Sequence, residues 1–180
     1  GVITEIQLRL HGVPEAISAA DCQFPTLKAA VDTVIVAMQH CIPVARIEIL
    51  DALQMDACIR YSKLDGYEAK PTLFFEFHGT QAGVAEQAGQ MQALVAEHGG
   101  GAFRWATAPE ERTKLWKARH NAYYAGLALK PGSFGFATDA CVPISRLAEC
   151  MLETKADADA TGLMAPIVGH VGDGNFHPCV

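Results

Sequence analysis

Two histidines, His170 and His177, stand with six residues between them, and those six are Val171-Gly172-Asp173-Gly174-Asn175-Phe176. Two neutral imidazoles converging on one point make half of a site for zinc, manganese or iron, with a carboxylate, water or substrate completing it. Convergence requires a sharp reversal of the chain. Asp-Gly and Gly-Asn are strong turn dipeptides, and Gly172 and Gly174 accept backbone angles that a residue with a Cβ resists. The apolar run from Leu163 to Val168 reads as the buried strand that leads into this turn. Asp173 and Asn175 are candidates to orient the two rings. A hairpin whose histidines cap its strand ends explains the same residues without any chemistry.

The rest of the chain must supply a framework for that turn. Val2 to Leu10 alternates as a strand, ended by His11-Gly12-Val13-Pro14. Phe24-Pro25-Thr26 opens a helix running to Cys41 with Thr26 as its cap, and a strand at Ala45 to Leu50 leads into a helix from Ala52 to Arg60. His40 at a helix end reads as a cap. A polar loop, Leu64 to Pro71, precedes the strongest strand pattern, Thr72 to Gly79, which puts Leu73, Phe75 and Phe77 on one face and Phe74, Glu76 and His78 on the other. Gln81 to His98 reads as a helix stopped by Gly99-Gly100-Gly101, and Ala102 to Ala106 as a short strand. Strand, helix and strand in that succession predict a ferredoxin-like β-α-β unit whose parallel neighbours cross over right-handed.

Thr107-Ala108-Pro109-Glu110-Glu111 starts a further helix, with proline at its first turn and acids where the helix dipole favours them. It carries Leu115, Trp116 and Arg119, with Tyr123 one turn on. Arg119 is a candidate anion clamp, because a guanidinium meets two carboxylate oxygens at once; pairing with Glu111, Asp139 or solvent is the plain alternative. Gly135 to Pro143 reads as a strand, Ser145 as the cap of the last helix with Glu149 in its first turn, and Lys155 to Thr161 as a polar break before the final strand.

The formal net charge is −6 with no run of lysines or arginines, which gives no electrostatic footprint for nucleic acid. Apolar stretches are interrupted too often for a transmembrane segment, and no signal layout opens the chain, so a soluble, cytoplasmic protein is expected. The six cysteines are scattered without a C-x-x-C pair and fit reduced thiols packed in apolar segments. Gly1 enters directly into a strand pattern and Val180 follows the histidine turn without a polar tail, so the chain reads as cut at both ends from a larger protein.

The run from His170 to His177, with its Gly-Asp-Gly-Asn core and both histidines in place, resembles the histidine-bracketed signature of the FAD-linked 2-hydroxyacid dehydrogenases, the group of D-lactate dehydrogenase and the glycolate oxidase flavoprotein subunit. Gly1 to Leu10 is similar to the end of that family's flavin domain, and Trp116 to Ile144 to its substrate cap. The resemblance implies an α+β fold, a ferredoxin-like mixed sheet with helices packed on it, with residues 1–12 as a terminal strand of the FAD-binding domain and 13–180 as an incomplete cap domain. It implies FAD, approached by the backbone of Gly1, Val2 and Ile3, and a divalent metal, Zn, Mn or Fe, on His170 and His177. Arg119 would bind the substrate carboxylate, and Asn175 would contact metal-site groups or substrate. The family's third metal ligand, a glutamate, and its catalytic histidine would lie beyond Val180. Relatives acting on longer dicarboxylates place a lysine where this chain has Ala137-Thr138, a departure that argues for a small substrate such as D-lactate or glycolate.

The implied activity is oxidation of a small 2-hydroxy acid with hydride transfer to flavin. A eukaryotic source would put such an enzyme in the mitochondrial matrix, peripheral to the membrane in some settings, with an unidentified electron acceptor and with a homo-oligomer or a flavoprotein subunit as partner. Two other classes stay open. One is a non-catalytic ferredoxin-like module that binds a metal or ligand; the other is a metal-dependent hydrolase in which Asp173 joins the histidines.

Overall fold

The computed structural model describes residues 1–180. Strands β1 (Ala16–Gln23), β2 (Val44–Leu50), β3 (Thr72–Gly79) and β4 (Arg104–Ala106) are linked by helices α1 (Leu27–Gln39), α2 (Ala52–Ser62) and α3 (Gln81–Glu97). Helices α4 (Pro109–His120) and α5 (Ala122–Ala128), strand β5 (Ala140–Cys141), helix α6 (Leu147–Thr161) and strands β6 (Ile167–His170) and β7 (Asn175–Pro178) complete the chain. The seven strands lie in the order β4-β1-β3-β2-β6-β7-β5. No helix is long and apolar enough to cross a membrane, and all six cysteines are free thiols.

The first four strands have the interleaved order of a ferredoxin-like unit, and the class is α+β as expected. Every ladder is antiparallel, so the sheet is not mixed. Strands β3 and β4 do run the same way, but β1 lies between them and pairs antiparallel with both. The expected parallel neighbours are thus separated by the strand that the sequence reading passed over. That strand, Ala-Ile-Ser-Ala-Ala-Asp-Cys-Gln, has a single β-branched residue, Ile17, and no aromatic, so it carries little of the composition that marks strands. Its small side chains suit a central position covered on both faces, where Ala19 and Ala20 are fully buried.

Alternation along β3 divides the interior as the pattern predicts. Leu73, Phe75 and Phe77 join Val31 and Val34 of α1, Met91 of α3 and Met151 of α6 in the larger core. Phe74 faces the other way, into a second core with Met55 of α2, Trp116 of α4 and Ala125 of α5. Helices α1, α3 and α6 therefore cover one face of the sheet, and α2, α4 and α5 the other. Thr26 caps α1 as expected, its hydroxyl accepting from the Ala29 N–H at 3.1 Å.

Several expected elements are absent or shifted. Residues 1–14 form no strand, and Val2, Ile3, Ile6, Leu8 and Leu10 are exposed, because an isolated strand has no ladder to satisfy its backbone. Gly135 to Pro143 is reduced to β5 and one bridge between Ala137 and Cys179; the Thr138 N–H donates to the Pro178 carbonyl, but Pro178 has no N–H to return the bond, which leaves the Thr138 carbonyl facing His177. Ser145 lies inside a 3-10 turn, Ile144–Arg146, and does not cap α6, which starts without a side-chain cap. The polar stretch from Lys155 to Thr161 is the solvent face of α6, with Ala158 turned inward and Gly162 ending the helix at φ 71°. The last strand starts at Ile167, later than the apolar run suggests.

Helix α2 is tied to β6 by Asp51. Its Oδ1 accepts from the Gln54 N–H at 2.8 Å, capping the helix, and from the Ile167 N–H at 3.1 Å. Its Oδ2 is buried without a partner. Burial outweighs the two backbone donors and pushes the carboxyl up to about 6. Between roughly pH 4 and 6 the folded chain holds a proton that the unfolded chain releases. The Asp51 contribution to stability therefore declines as pH rises through that window and is constant above it. In urea unfolding, Asp51→Asn should gain about 2–3 kcal/mol relative to the parent between roughly pH 4 and 7. A difference that does not change with pH would show that Asp51 keeps an ordinary pKa.

Candidate functional site

Strand β2 carries two kinds of residue on its two faces. Ile47 and Ile49 enter the larger core, and Arg46 and Glu48 alternate with them toward α4. A carboxylate between isoleucines in a buried stretch must find donors, and Glu48 is only 5% exposed. The neighbouring strand provides one of them. The β2–β6 ladder pairs Ile49 with Gly169 and Leu50 with Val168, which carries His170 alongside Glu48.

The hairpin of β6 and β7 brings the second histidine to the same face. Its register pairs His170 with Asn175 and Val168 with His177, so the two imidazoles are diagonal neighbours. Their ring centroids are 5.7 Å apart and their planes lie at 83°. Two glycines permit this. A Cβ on Gly169 would stand 2.8 Å from the Asn175 carbonyl oxygen. Gly174, at φ 75°, occupies the left-handed region, and a Cβ there would collide with the Val142 carbonyl oxygen.

Glu48 spans the site. Its Oε1 lies 2.9 Å from His170 Nδ1, and its Oε2 accepts from Arg119 Nε at 2.7 Å. His177 Nδ1 lies 3.0 Å from the Thr138 carbonyl oxygen and 3.6 Å from Asp139 Oδ1. In a neutral ring facing such an acceptor, Nδ1 carries the hydrogen and Nε2 keeps the lone pair. Asn175 donates its amide to Asp139 Oδ1 at 2.7 Å and to the Ala140 carbonyl at 3.1 Å, which pins the 138–140 segment against His177. Further along the same face the Arg46 guanidinium lies 3.7 Å over the Trp116 ring and binds Glu76 at 2.8 Å. Partial burial of Glu76 would raise its pKa, but Arg46 and His78 outweigh it and hold the carboxyl below its ordinary value. Burial pushes the Cys179 thiol up, with Arg119 opposing, so this neighbour stays a protonated thiol near neutral pH.

The structure thus brings His170, His177, Asn175 and Arg119 to one face of the sheet. Gly1, Val2 and Ile3 are exposed and take no part in these hydrogen bonds. Arg119 pairs with neither Glu111 nor Asp139 but with Glu48. Asp173 does not orient the rings: it lies exposed in the 3-10 turn Val171–Asp173, and no group of three or more His, Cys, Asp or Glu is placed to hold a metal ion. That geometry offers no support for the hydrolase arrangement. Glu48 and Asp139 are the residues that the sequence reading missed. Glu48 had a signal, a lone carboxylate in the buried run Ile47-Glu48-Ile49-Leu50; Asp139 had none, since its partners come from a distant hairpin.

A family profile described as FAD linked oxidases, C-terminal domain, matches residues 13–180. The sequence is 48% identical over 177 residues to "Probable D-lactate dehydrogenase, mitochondrial" of Danio rerio, covering 98% of this chain and 35% of that protein. It is 43% identical over 180 residues to "D-lactate dehydrogenase [cytochrome], mitochondrial" of Arabidopsis thaliana, covering 100% of this chain and 32% of that one. The chain therefore spans about a third of the length of the curated relatives it matches. Among solved structures, alkyldihydroxyacetonephosphate synthase superposes with a TM-score of 0.65 at 15% identity over 94% of this chain and 37% of its own, a likeness of fold alone.

The hairpin sets the spacing of the two imidazoles, and Gly174 sets the hairpin. Gly174→Ala should lower the stability of the fold by about 2–4 kcal/mol, through the left-handed angle and the collision with Val142. Thermal denaturation monitored by circular dichroism measures it. An unchanged midpoint would show that the turn adapts without strain.

Proposed function

The chain belongs to the FAD linked oxidases, C-terminal domain, and on that footing we propose that it is the substrate-cap part of a flavoprotein dehydrogenase. The complete protein oxidises a small D-2-hydroxy acid, D-lactate foremost and glycolate as the close alternative, to the 2-oxo acid. The observation that carries this reading is the shared face of His170, His177 and Arg119, with Glu48 holding two of the three. The names of the two relatives point to the same substrate class.

The two imidazoles are suited to supply part of a divalent-cation site, which residues 1–180 do not complete. Each imidazole engages an oxygen acceptor through Nδ1, which is the arrangement that fixes a histidine ligand's orientation and leaves Nε2 to coordinate. His170 and His177 would hold zinc, manganese or iron as two of its ligands, with the remainder, and the catalytic base, from outside residues 1–180. FAD would be bound chiefly by a separate domain of the complete protein. Residues 1–12, which form no strand in this chain by itself, would join that domain as its terminal strand, with Gly1, Val2 and Ile3 beside the flavin, and the exposed side chains of Val2, Ile3, Ile6, Leu8 and Leu10 suit pairing with such a sheet. When bound, the cation would lower the pKa of the substrate hydroxyl and the flavin would accept the α-hydrogen as hydride.

The chain's own residues bind and orient. Arg119 meets the substrate carboxylate with its terminal nitrogens, because Nε is already taken by Glu48. Holding the carboxylate at one end and the hydroxyl near the two imidazoles fixes the α-carbon between them, which limits the face it presents. The hydroxyl proton would pass to the base supplied from outside residues 1–180 as the α-hydrogen departs with its electron pair to the flavin, so the carbon ends as a carbonyl. Asn175 acts by keeping Asp139 and the Thr138 carbonyl against His177. Ala137 and Thr138 bring no cation for a second carboxylate, in keeping with a small monocarboxylate. A eukaryotic source would place the complete protein in the mitochondrial matrix, and a bacterial one in the cytoplasm.

Anaerobic addition of D-lactate or glycolate to the complete protein tests this. The flavin absorption band should bleach in the parent, and His177→Ala should slow bleaching by at least about 100-fold. A complete protein without flavin would overturn the reading in favour of a ferredoxin-like binding module.

A further inference from the structure

We propose that Glu48 is a positioning residue that couples the two binding functions of the site, setting the carboxylate clamp Arg119 and the imidazole of His170 through one carboxylate. The proposal rests on the reading of the site given above and adds a residue whose role that reading does not fix. Glu48 is 5% exposed, and each of its oxygens serves one donor: Oε1 the ring of His170 at 2.9 Å, Oε2 the Nε–H of Arg119 at 2.7 Å. A buried carboxylate with only these two side-chain partners leaves neither free to turn without the other losing its counter-group.

The atoms chosen matter as much as the distances. Arg119 presents its Nε edge to Glu48, which leaves the opposite edge, made by the two terminal nitrogens, for an incoming carboxylate. His170 presents Nδ1, which leaves Nε2 for a cation. One side chain from β2 therefore holds a residue of α4 and a residue of β6 at once, and leaves a free edge on each. Neither strand nor helix does this alone, since Arg119 is a long, flexible side chain and His170 sits at a strand end. Glutamate is the residue that serves here because it offers two acceptors and no donor. A glutamine offers one acceptor, and its amide would face either the Arg119 Nε–H or the His170 Nδ1–H, so one of the two must be lost or the imidazole must change tautomer.

The test uses the complete flavoprotein as the parent, Glu48→Gln and Glu48→Asp. Flavin content and the thermal midpoint first establish that each is folded and loaded. Two quantities are then read: manganese affinity by titration of the metal-stripped protein, and KM for D-lactate at saturating manganese. Glu48→Gln should weaken manganese binding by about 10- to 100-fold and raise KM by about tenfold or more, together. Glu48→Asp, which keeps both acceptors on a shorter stem, should show smaller losses of both. If Glu48→Gln does not accumulate, the same paired readings on Glu48→Asp decide the matter. A folded variant in which neither quantity moves, or only one does, overturns the coupling. A parent protein without flavin, or with flavin that D-lactate leaves oxidised, defeats the functional reading itself and is distinguished from either outcome.

Discussion

A charge inside a β-sheet is tolerable only where the surrounding chain surrenders donors to it, and Glu48 collects them from two separate elements. Its partners come from positions 119 and 170, on a helix and a strand that are far apart in sequence. The ion pair with Arg119 anchors α4 to β2, and the contact with His170 anchors the hairpin to the same strand. Removing one partner from such a group costs more than the pair contributes when intact, because the other charge is then left uncompensated in a poorly hydrated place. The arrangement is therefore better understood as fixing geometry than as adding stability.

The backbone around this group explains why the two faces of the sheet differ. On one side, Phe75, Phe77, Ile47, Ile49 and Phe176 make a continuous apolar layer under α1, α3 and α6. On the other, α2, α4 and α5 pack on Phe74 and Val168, and beside that second core the strands carry Arg46, Glu48, His170 and His177. Glu48 lies buried at the edge of α4, beneath Arg119. Arg46 over Trp116 marks the boundary between the second core and the site.

Local pattern made much of this legible. The period-two alternation of Thr72 to Gly79 assigns its faces correctly, and Thr26, Pro109 and the glycines after α3 mark helix ends where they occur. The histidine turn is a hairpin with both imidazoles on one face, as its glycines imply. What escaped the sequence depends on distant partners. Strand β1 is built of small residues whose strand character comes from being covered on both faces. Val2 to Leu10 shows the converse, a strand pattern without a neighbouring strand to form one. The plain alternative for Arg119, pairing with Glu111, Asp139 or solvent, overlooks Glu48, because that partner lies 71 residues away.

The sheet order holds a design lesson. Strands β6, β7 and β5 extend one edge of the ferredoxin-like unit, joined to its sheet through the β2–β6 ladder, while β4, β1, β3 and β2 interlock around one another. The interleaved strands hold the appended hairpin much as a chuck holds a tool bit, with Ile167, Val171 and Phe176 seated in the shared core. A change on β2 reaches the holder and the bit at once.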